Sequence, residues 1–298
     1  MSTFSAWPEI IQQAFYDTWI YDNGCYLEEV DRFTQQWGSL DSEAFLRALS
    51  KGQGKERIFA LFALGLQNLP GIVELFFPFL ESDRPEERWA SAISLGRLRQ
   101  EQVFQLLQDL LLESTQDYLE VTEINDTYAW YHHHRSSIAL LLGAWGNPQA
   151  TPVLRQTLQA IWQFEQQPGP LDSRWKSLMD DLHFLEDSLA YALGQLEAWG
   201  ALLNLGLSPS HQRWAMQHMI LGHLQVKLTG WPNLLGIYVY DDEVSDRYPP
   251  SRGTAVVEKK QVKAVLARCF GLSEKEQAEF FLQLADVITE RDEEAVTK

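Results

Sequence analysis

Apolar residues recur along most of this chain with the spacing of amphipathic helices. The stretch from Asp83 to Ser114 shows the pattern most clearly. Its first half places four small or apolar residues on one helical face: Trp89, Ala92, Ile93 and Gly96. Its second half places an apolar stripe between polar positions: Val103, Leu106, Leu107, Leu110 and Leu111. Neither helix could bury its stripe alone, so the pattern predicts a helical hairpin that stacks on further hairpins.

A Leu-Gly pair marks the first helix of each predicted hairpin. The pair occurs five times: Leu64-Gly65, Leu95-Gly96, Leu142-Gly143, Leu193-Gly194 and Leu221-Gly222. Successive glycines are 31, 47, 51 and 28 residues apart. A period of about 30 residues is typical of stacked helical pairs, so the two long spacings predict insertions near 114–131 and 166–182. Eight residues before the glycines stand, in order, Arg57, Arg88, Arg135, Glu186 and Trp214.

The segments outside the repeats are predicted to be helical caps. Residues 1–50 form the N-terminal cap, 51–225 the repeats and 226–298 the C-terminal cap of one domain. In the C-terminal cap, Ile237–Tyr240 suits a short extended piece, whereas Val256–Phe270 and Ser273–Arg291 suit closing helices. Ser273 with Glu276 fits a capping box at the start of the second of these helices. The predicted fold is therefore an all-α solenoid of about five hairpins.

Net charge restricts the classes of partner. The formal charge is −17, which disfavours nucleic acid and anionic membrane surfaces and permits a basic partner. Between Gln100 and His134 there is no Lys or Arg, but there are seven acids: Glu101, Asp109, Glu113, Asp117, Glu120, Glu123 and Asp126. With two cysteines, no basic apolar leader and no long apolar run, the expected location is the cytoplasm.

Two segments carry a family resemblance. RWASAISLGRLRQEQVFQLLQDLL and HHRSSIALLLGAWGNPQATPVLRQTLQAI resemble HEAT-like repeats, in particular the short type first described in phycobilisome lyases. The likeness covers roughly residues 55–225. It implies that the second helices line a concave groove, with these polar residues facing it: Glu74, Gln105, Gln108, Asp109, Arg155, Gln156, Gln159 and Gln163.

The two insertions should emerge on the same edge of a stacked array, which we call the rim. Rim residues that could contact a partner are Glu120, Glu123, Asp126, Trp130 and Tyr131. Together with the groove, they favour a scaffold or adaptor that binds a protein or peptide. The alternative is an enzyme or lyase-type subunit with a small-molecule or base-modifying site in the groove. A buried carboxylate beside an aromatic residue, in a closed pocket, would favour that alternative.

Chemical motifs give weaker indications. Three consecutive residues, His132 to His134, point in different directions on a helix and cannot all reach one ion. Asp180, His183 and Asp187 share one helical face, but a solvated polar stripe has the same pattern. No His is followed by Glu, so the iron site of the HEAT-like deoxyhypusine hydroxylases is missing, and the acidic charge argues against a DNA glycosylase groove. We therefore assign no catalytic residue, metal or cofactor from the sequence.

Overall fold

The computed structural model describes residues 42–65, 69–120, 126–166, 173–202, 209–224, 236–240 and 254–280. Within them the α-helices are α1 (Ser42–Lys51), α2 (Lys55–Gly65), α3 (Ile72–Phe76), α4 (Pro85–Arg97), α5 (Phe104–Glu120), α6 (Asp126–Trp145), α7 (Thr151–Glu165), α8 (Ser173–Gln195), α9 (Pro209–His223) and α10 (Lys259–Phe270). Short 3-10 helices cover Phe77–Glu81, Glu101–Val103, Pro148–Ala150 and Trp199–Leu202. Two strands, β1 (Gly236–Tyr240) and β2 (Thr254–Glu258), complete the described elements.

The helices form two layers, as expected for a solenoid. The first helices pack side by side in chain order: α2 on α4, α4 on α6, α6 on α8 and α8 on α9. The second helices α5 and α7 pack against each other and against the first helices that follow them. A continuous apolar core lies between the layers, and a smaller one joins α9 to α10. The prediction of an all-α solenoid of helical hairpins is confirmed.

The Leu-Gly pairs mark points of close approach between first helices. A Cβ on Gly143 would lie 2.6 Å from the Cα of Ala192, and a Cβ on Gly65 would lie 2.7 Å from the Cβ of Ser94. At Gly194 a Cβ would overlap the main-chain carbonyl of Met219 on α9. Glycine is required at these points because the neighbouring backbones leave no room for a side chain.

Two of the arginines eight residues before the glycines, Arg88 and Arg135, tie their hairpins to the one before. Arg88 donates to the carbonyl oxygen of Ser82 at 2.7 Å, and Arg135 donates to that of Ser114 at 3.0 Å. Arg135 is only 1% exposed, so its charge is buried against the preceding second helix. These guanidinium groups satisfy main-chain oxygens at the interface between the layers.

The C-terminal region departs from the helical prediction at one place. Residues 256–258 lie in β2, not in a helix, and β2 pairs in parallel with β1 so that Ile237 faces Ala255 and Val239 faces Val257. Consecutive β-branched valines favour a strand when a partner is present, and the helix starts only at Lys259. The predicted extended piece at Ile237–Tyr240 is confirmed as part of β1.

The second closing helix is described only in part. Residues 274–280 are helical. The predicted capping box is formed, with the Ser273 amide donating to Glu276 at 2.8 Å and the Glu276 amide donating to the Ser273 hydroxyl at 3.4 Å. Hydrogen bonds from Ser273 hold the pKa of the Glu276 carboxyl below its ordinary value. The N-terminal cap up to residue 41 and the segment 281–298 lie outside the described residues.

Both insertions continue neighbouring helices in their described parts. Residues 114–120 are the last turns of α5 and 126–131 are the first turns of α6. Residues 173–182 are likewise the first turns of α8, which runs without a break to Gln195. The long glycine spacings are therefore absorbed largely by longer helices.

Replacing Gly143 with Ala should destabilise the protein by about 1–3 kcal/mol, because the new methyl group meets main-chain atoms of α8 that cannot move independently. Gly96→Ala is the matched control. Its Cβ would meet the ends of the flexible Leu141 and Leu107 side chains, which can shift. Urea unfolding followed by circular dichroism measures both. Equal losses in the two variants would contradict close backbone packing at Gly143.

Candidate functional site

A group of acidic and imidazole side chains lies where α7, α8 and α9 meet. Glu165 is the last residue of α7, His183 and Glu186 lie one turn apart on α8, and His211 lies in the first turn of α9. We call Glu165, His183, Glu186 and His211 the carboxylate–imidazole cluster. Packing of α8 against both α7 and α9 brings these residues together from three helices.

One carboxylate is central to the geometry. Glu165 Oε1 is 3.5 Å from His183 Nε2, and Glu165 Oε2 is 3.6 Å from His211 Nε2. One ligand-type atom from each of Glu165, His183 and Glu186 lies within 4.8 Å of the others. The Glu165 side chain is 7% exposed and that of His183 is 52% exposed. The cluster thus has a buried acidic floor and an imidazole open to solvent.

Glu186 is the deepest member of the cluster and lies beside an aromatic residue. It is 2% exposed, and its Oε1 accepts a hydrogen bond from the indole Nε1 of Trp162 on α7. The ring of Trp162 also lies 6.4 Å from the His211 ring, centroid to centroid. Trp162 therefore closes the inner side of the cluster.

Both carboxyls hold their protons more tightly than free glutamate does. Burial raises the pKa of Glu165 to about 7. Burial also raises the pKa of Glu186 well above its ordinary value, the nearby Glu165 and Asp187 add to that increase, and the Trp162 hydrogen bond partly opposes it. Among the described residues, Glu165 Oε1 has no hydrogen-bond partner although it is buried.

A second polar group fastens α8 to α9. Asp187 Oδ1 accepts a hydrogen bond from Trp214 Nε1 at 2.6 Å and lies 3.5 Å from His218 Nε2. The other ring nitrogen of His218 lies 3.1 Å from the carbonyl oxygen of Trp214. Asp187 is thus engaged by two side chains of α9.

The structure regroups the residues that sequence spacing places on one face of α8. His183 lies with Glu165 and Glu186, Asp187 lies with Trp214 and His218, and the side chain of Asp180 is outside the described residues. Spacing within one helix could not reveal Glu165, which comes from another helix. The available signal was Glu186 itself, an acid at a repeat position where the three preceding hairpins carry arginine.

In the histidine run, the described side chain belongs to the core. His134 is buried and its ring stacks on Phe62 at 5.5 Å between centroids, with Trp89 at 6.3 Å. The side chains of His132 and His133 are outside the described part of the chain.

The groove residues named from the sequence lie on the second helices. Their exposed members are Glu74, Gln105, Asp109, Gln156 and Gln163, and Gln159 is half-buried. Gln105 donates to Asp109 at 2.8 Å, and Arg155 Nε donates to the Ala201 carbonyl at 3.0 Å. Gln108 does not contribute to the exposed surface: it is buried, with its amide directed at the Phe104 carbonyl of its own helix.

The rim residues named from the sequence are described less fully. Glu123 and the side chains of Glu120, Asp126, Trp130 and Tyr131 lie outside the described residues. Their part in binding therefore stays a prediction.

Replacing Glu165 with Gln should increase stability at pH 8 and change it little at pH 4. The folded pKa of Glu165 is about 7 against an ordinary 4.5, so the unfolded chain ionises first and wild-type stability falls as pH rises between these values. The variant avoids that loss, by about 1–3 kcal/mol at pH 8, and also relieves Glu186 of a neighbouring charge. Urea unfolding of wild type and variant at both pH values measures the difference in stability. His183, Glu186, Asp187 and His211 keep their wild-type side chains in the variant. A Glu165→Gln variant that is less stable than wild type at pH 8 would contradict the burial of the Glu165 carboxylate.

In the described part of the chain, no helix is both long enough and apolar enough to span a bilayer. The sequence model of the family described as HEAT repeats matches residues 42–123, which include α1 to α5. Among curated proteins and among solved structures, none matches the chain significantly. Residues 42–123 thus match the HEAT-repeat family, and the Leu-Gly period and the two helical layers continue the same hairpin architecture along the described repeats.

Proposed function

We propose that this protein is a scaffold or adaptor. It binds an extended peptide segment of a partner protein across the solvent-facing side of α5 and α7, the second helices expected to line the concave groove. HEAT repeats commonly serve as protein-interaction scaffolds. The observation that carries the proposal is a pair of polar stripes on adjacent second helices. On α5 and its 3-10 turn the stripe is Gln102, Gln105, Asp109, Glu113 and Gln116, and on α7 it is Gln156, Gln159 and Gln163.

Glutamine amides suit a peptide ligand. Each amide offers a carbonyl acceptor and two N–H donors, which is the same set of groups that an extended main chain presents. An array of glutamines can therefore hold a peptide backbone with little regard to its side chains. The stripe on α5 also contains carboxylates, and α5 has no Lys or Arg.

The exposed acids of α5 indicate the charge of the partner segment. Glu101, Asp109, Glu113 and Asp117 are exposed along α5 and its preceding turn. Charge complementarity steers association and selects partners more than it adds affinity. The partner segment we propose contains Lys or Arg, and the cytoplasm is its proposed compartment.

Reversing three exposed charges of α5, namely two in the stripe and Asp117 one turn after Glu113, should weaken partner binding. Asp109→Lys, Glu113→Lys and Asp117→Lys in one variant should reduce recovery of the partner about tenfold or more at physiological salt, because attraction is replaced by repulsion. The matched control reverses three exposed acids elsewhere: Glu81→Lys, Asp83→Lys and Glu274→Lys. Affinity capture from the native cell, with cross-linking mass spectrometry, gives the readout.

The expected result is a partner retained by wild type and control, lost by the stripe variant, and cross-linked to residues of α5 or α7. Binding that is insensitive to both salt and the stripe charges would overturn the basic-partner proposal. Cross-links confined to other helices would overturn the binding face.

The second candidate is an enzyme or lyase-type subunit, and the carboxylate–imidazole cluster favours it. Glu186 with Trp162 is a buried carboxylate beside an aromatic ring, and the pKa of Glu165 at about 7 suits a general acid or base near neutral pH. Native mass spectrometry of protein purified from its own cell tests this candidate. A small molecule retained by wild type and by the control Glu197→Gln, but lost from Glu165→Gln, would support it. Equal spectra for wild type and Glu165→Gln would count against it.

A further inference from the structure

We propose that Glu165, His183 and Glu186 form a binding site for a divalent metal ion of the Zn²⁺ type. The site joins the second helix of one hairpin, α7, to the first helix of the next, α8. It is separate from the polar stripes, so it stands whether or not those stripes bind a peptide.

Comparison of the hairpins shows that a carboxylate stands here at a position where the three preceding hairpins have arginine. Eight residues before the glycine, Arg88 and Arg135 each extend a guanidinium group to the preceding second element. The same position in the next hairpin is Glu186, and it faces the end of α7. Where its neighbours place a positive charge, this hairpin places a carboxylate and adds a second one, Glu165. A bound dication would supply here the positive charge that arginine supplies in the three preceding hairpins.

The Glu165 carboxylate has an unused acceptor directed into the cluster. Its side chain is 7% exposed, and Oε1 has no hydrogen-bond partner among the described residues. A buried acceptor without a donor costs about 1–3 kcal/mol, and more when charged. The nearest cluster nitrogen, His183 Nε2, is 3.5 Å away. That separation is long for a hydrogen bond and suits two atoms bound to one ion.

The distances agree with that interpretation. Zinc–nitrogen and zinc–oxygen bonds of about 2.0–2.2 Å place neighbouring ligands of a tetrahedral ion about 3.4 Å apart. The His183–Glu165 pair is already at that spacing. The atoms of all three ligands lie within 4.8 Å, so small side-chain rotations would complete the site.

The donor set selects the class of metal. One imidazole nitrogen and two carboxylate oxygens suit Zn²⁺ and similar transition metals, whereas Ca²⁺ and Mg²⁺ prefer oxygen ligands alone. The surrounding groups would hold the ligands in place: Trp162 donates to Glu186 Oε1, leaving Oε2 for the ion, and His211 lies 3.6 Å from Glu165 Oε2.

The exposure of the cluster gives the ion access to solvent. Three protein ligands leave a tetrahedral ion one further position, and His183 is 52% exposed on that side. Water can fill this position, as it does in zinc sites that keep an open coordination position.

The test uses full-length, tag-free protein that has been treated with chelator and then dialysed. Zn²⁺ alone is titrated at pH 7.5 by calorimetry, and Co²⁺ is titrated in parallel because its visible absorption reports ligand geometry. Glu165→Gln, Glu186→Gln and His183→Gln should each weaken Zn²⁺ binding at least about tenfold. Glu165→Gln removes a buried charge and is expected to stabilise the fold, so a loss of Zn²⁺ binding in this variant would not come from unfolding. Circular dichroism verifies the fold of every variant.

Glu197→Gln is the matched control, because Glu197 lies 3.4 Å from His223 Nδ1 in an acid–imidazole pair that belongs to no group of three ligand-type side chains among the described residues. It should bind Zn²⁺ as wild type does. Three results would overturn the proposal: unchanged affinity in the three ligand variants, equally tight binding of Mg²⁺ or Ca²⁺, or Zn²⁺ binding that disappears only when His132 and His133 are replaced.

Discussion

Close packing of the first helices is the constraint on which this structure depends. At Gly143 and Gly194 the backbone of one helix lies against the next, with no room for a side chain. Residues eight positions earlier point about 80° around the same helix, toward the second-helix layer. Because the layers are close, a side chain at this position is at least partly buried, and its polar groups need partners within the protein. Arg135 does so by donating to the Ser114 carbonyl, and Arg88 by donating to that of Ser82.

The carboxylate–imidazole cluster occurs in the hairpin where glutamate replaces arginine at this repeat position. Glu186 occupies the arginine position but cannot donate to a carbonyl oxygen, so it accepts from Trp162 instead. Glu165 then adds a second carboxylate in the same buried space. Burial raises the pKa of both groups, and the nearby Glu165 adds to the rise at Glu186. Two buried acids beside an exposed imidazole are poor for stability. Departures from a local rule without a stabilising gain tend to mark functional sites, and this cluster is such a departure.

The sequence allowed prediction of features that depend on short-range spacing. The Leu-Gly period predicted stacked hairpins because the pair recurs along the chain, and Ser273 with Glu276 predicted a helix start because that signal lies within one turn. Contacts between helices were less accessible. Glu165 and Glu186 meet only because α7 packs on α8, and residues 256–258 form a strand because β1 is beside them. Such outcomes depend on partners distant in the chain, which override local propensity.

Helix α7 carries residues of both the polar stripes and the carboxylate–imidazole cluster. Gln156 and Gln163 point outward from it, whereas Trp162 and Glu165 point toward α8 and α9. A metal ion held between α7 and α8 would fix the angle between consecutive hairpins, and with it the spacing of the polar stripes. Coupling of the two surfaces requires that α7 have two arrangements that the ion distinguishes. If α7 has a single arrangement, the ion would add stability to the solenoid and leave the affinity of the polar stripes for a peptide unchanged.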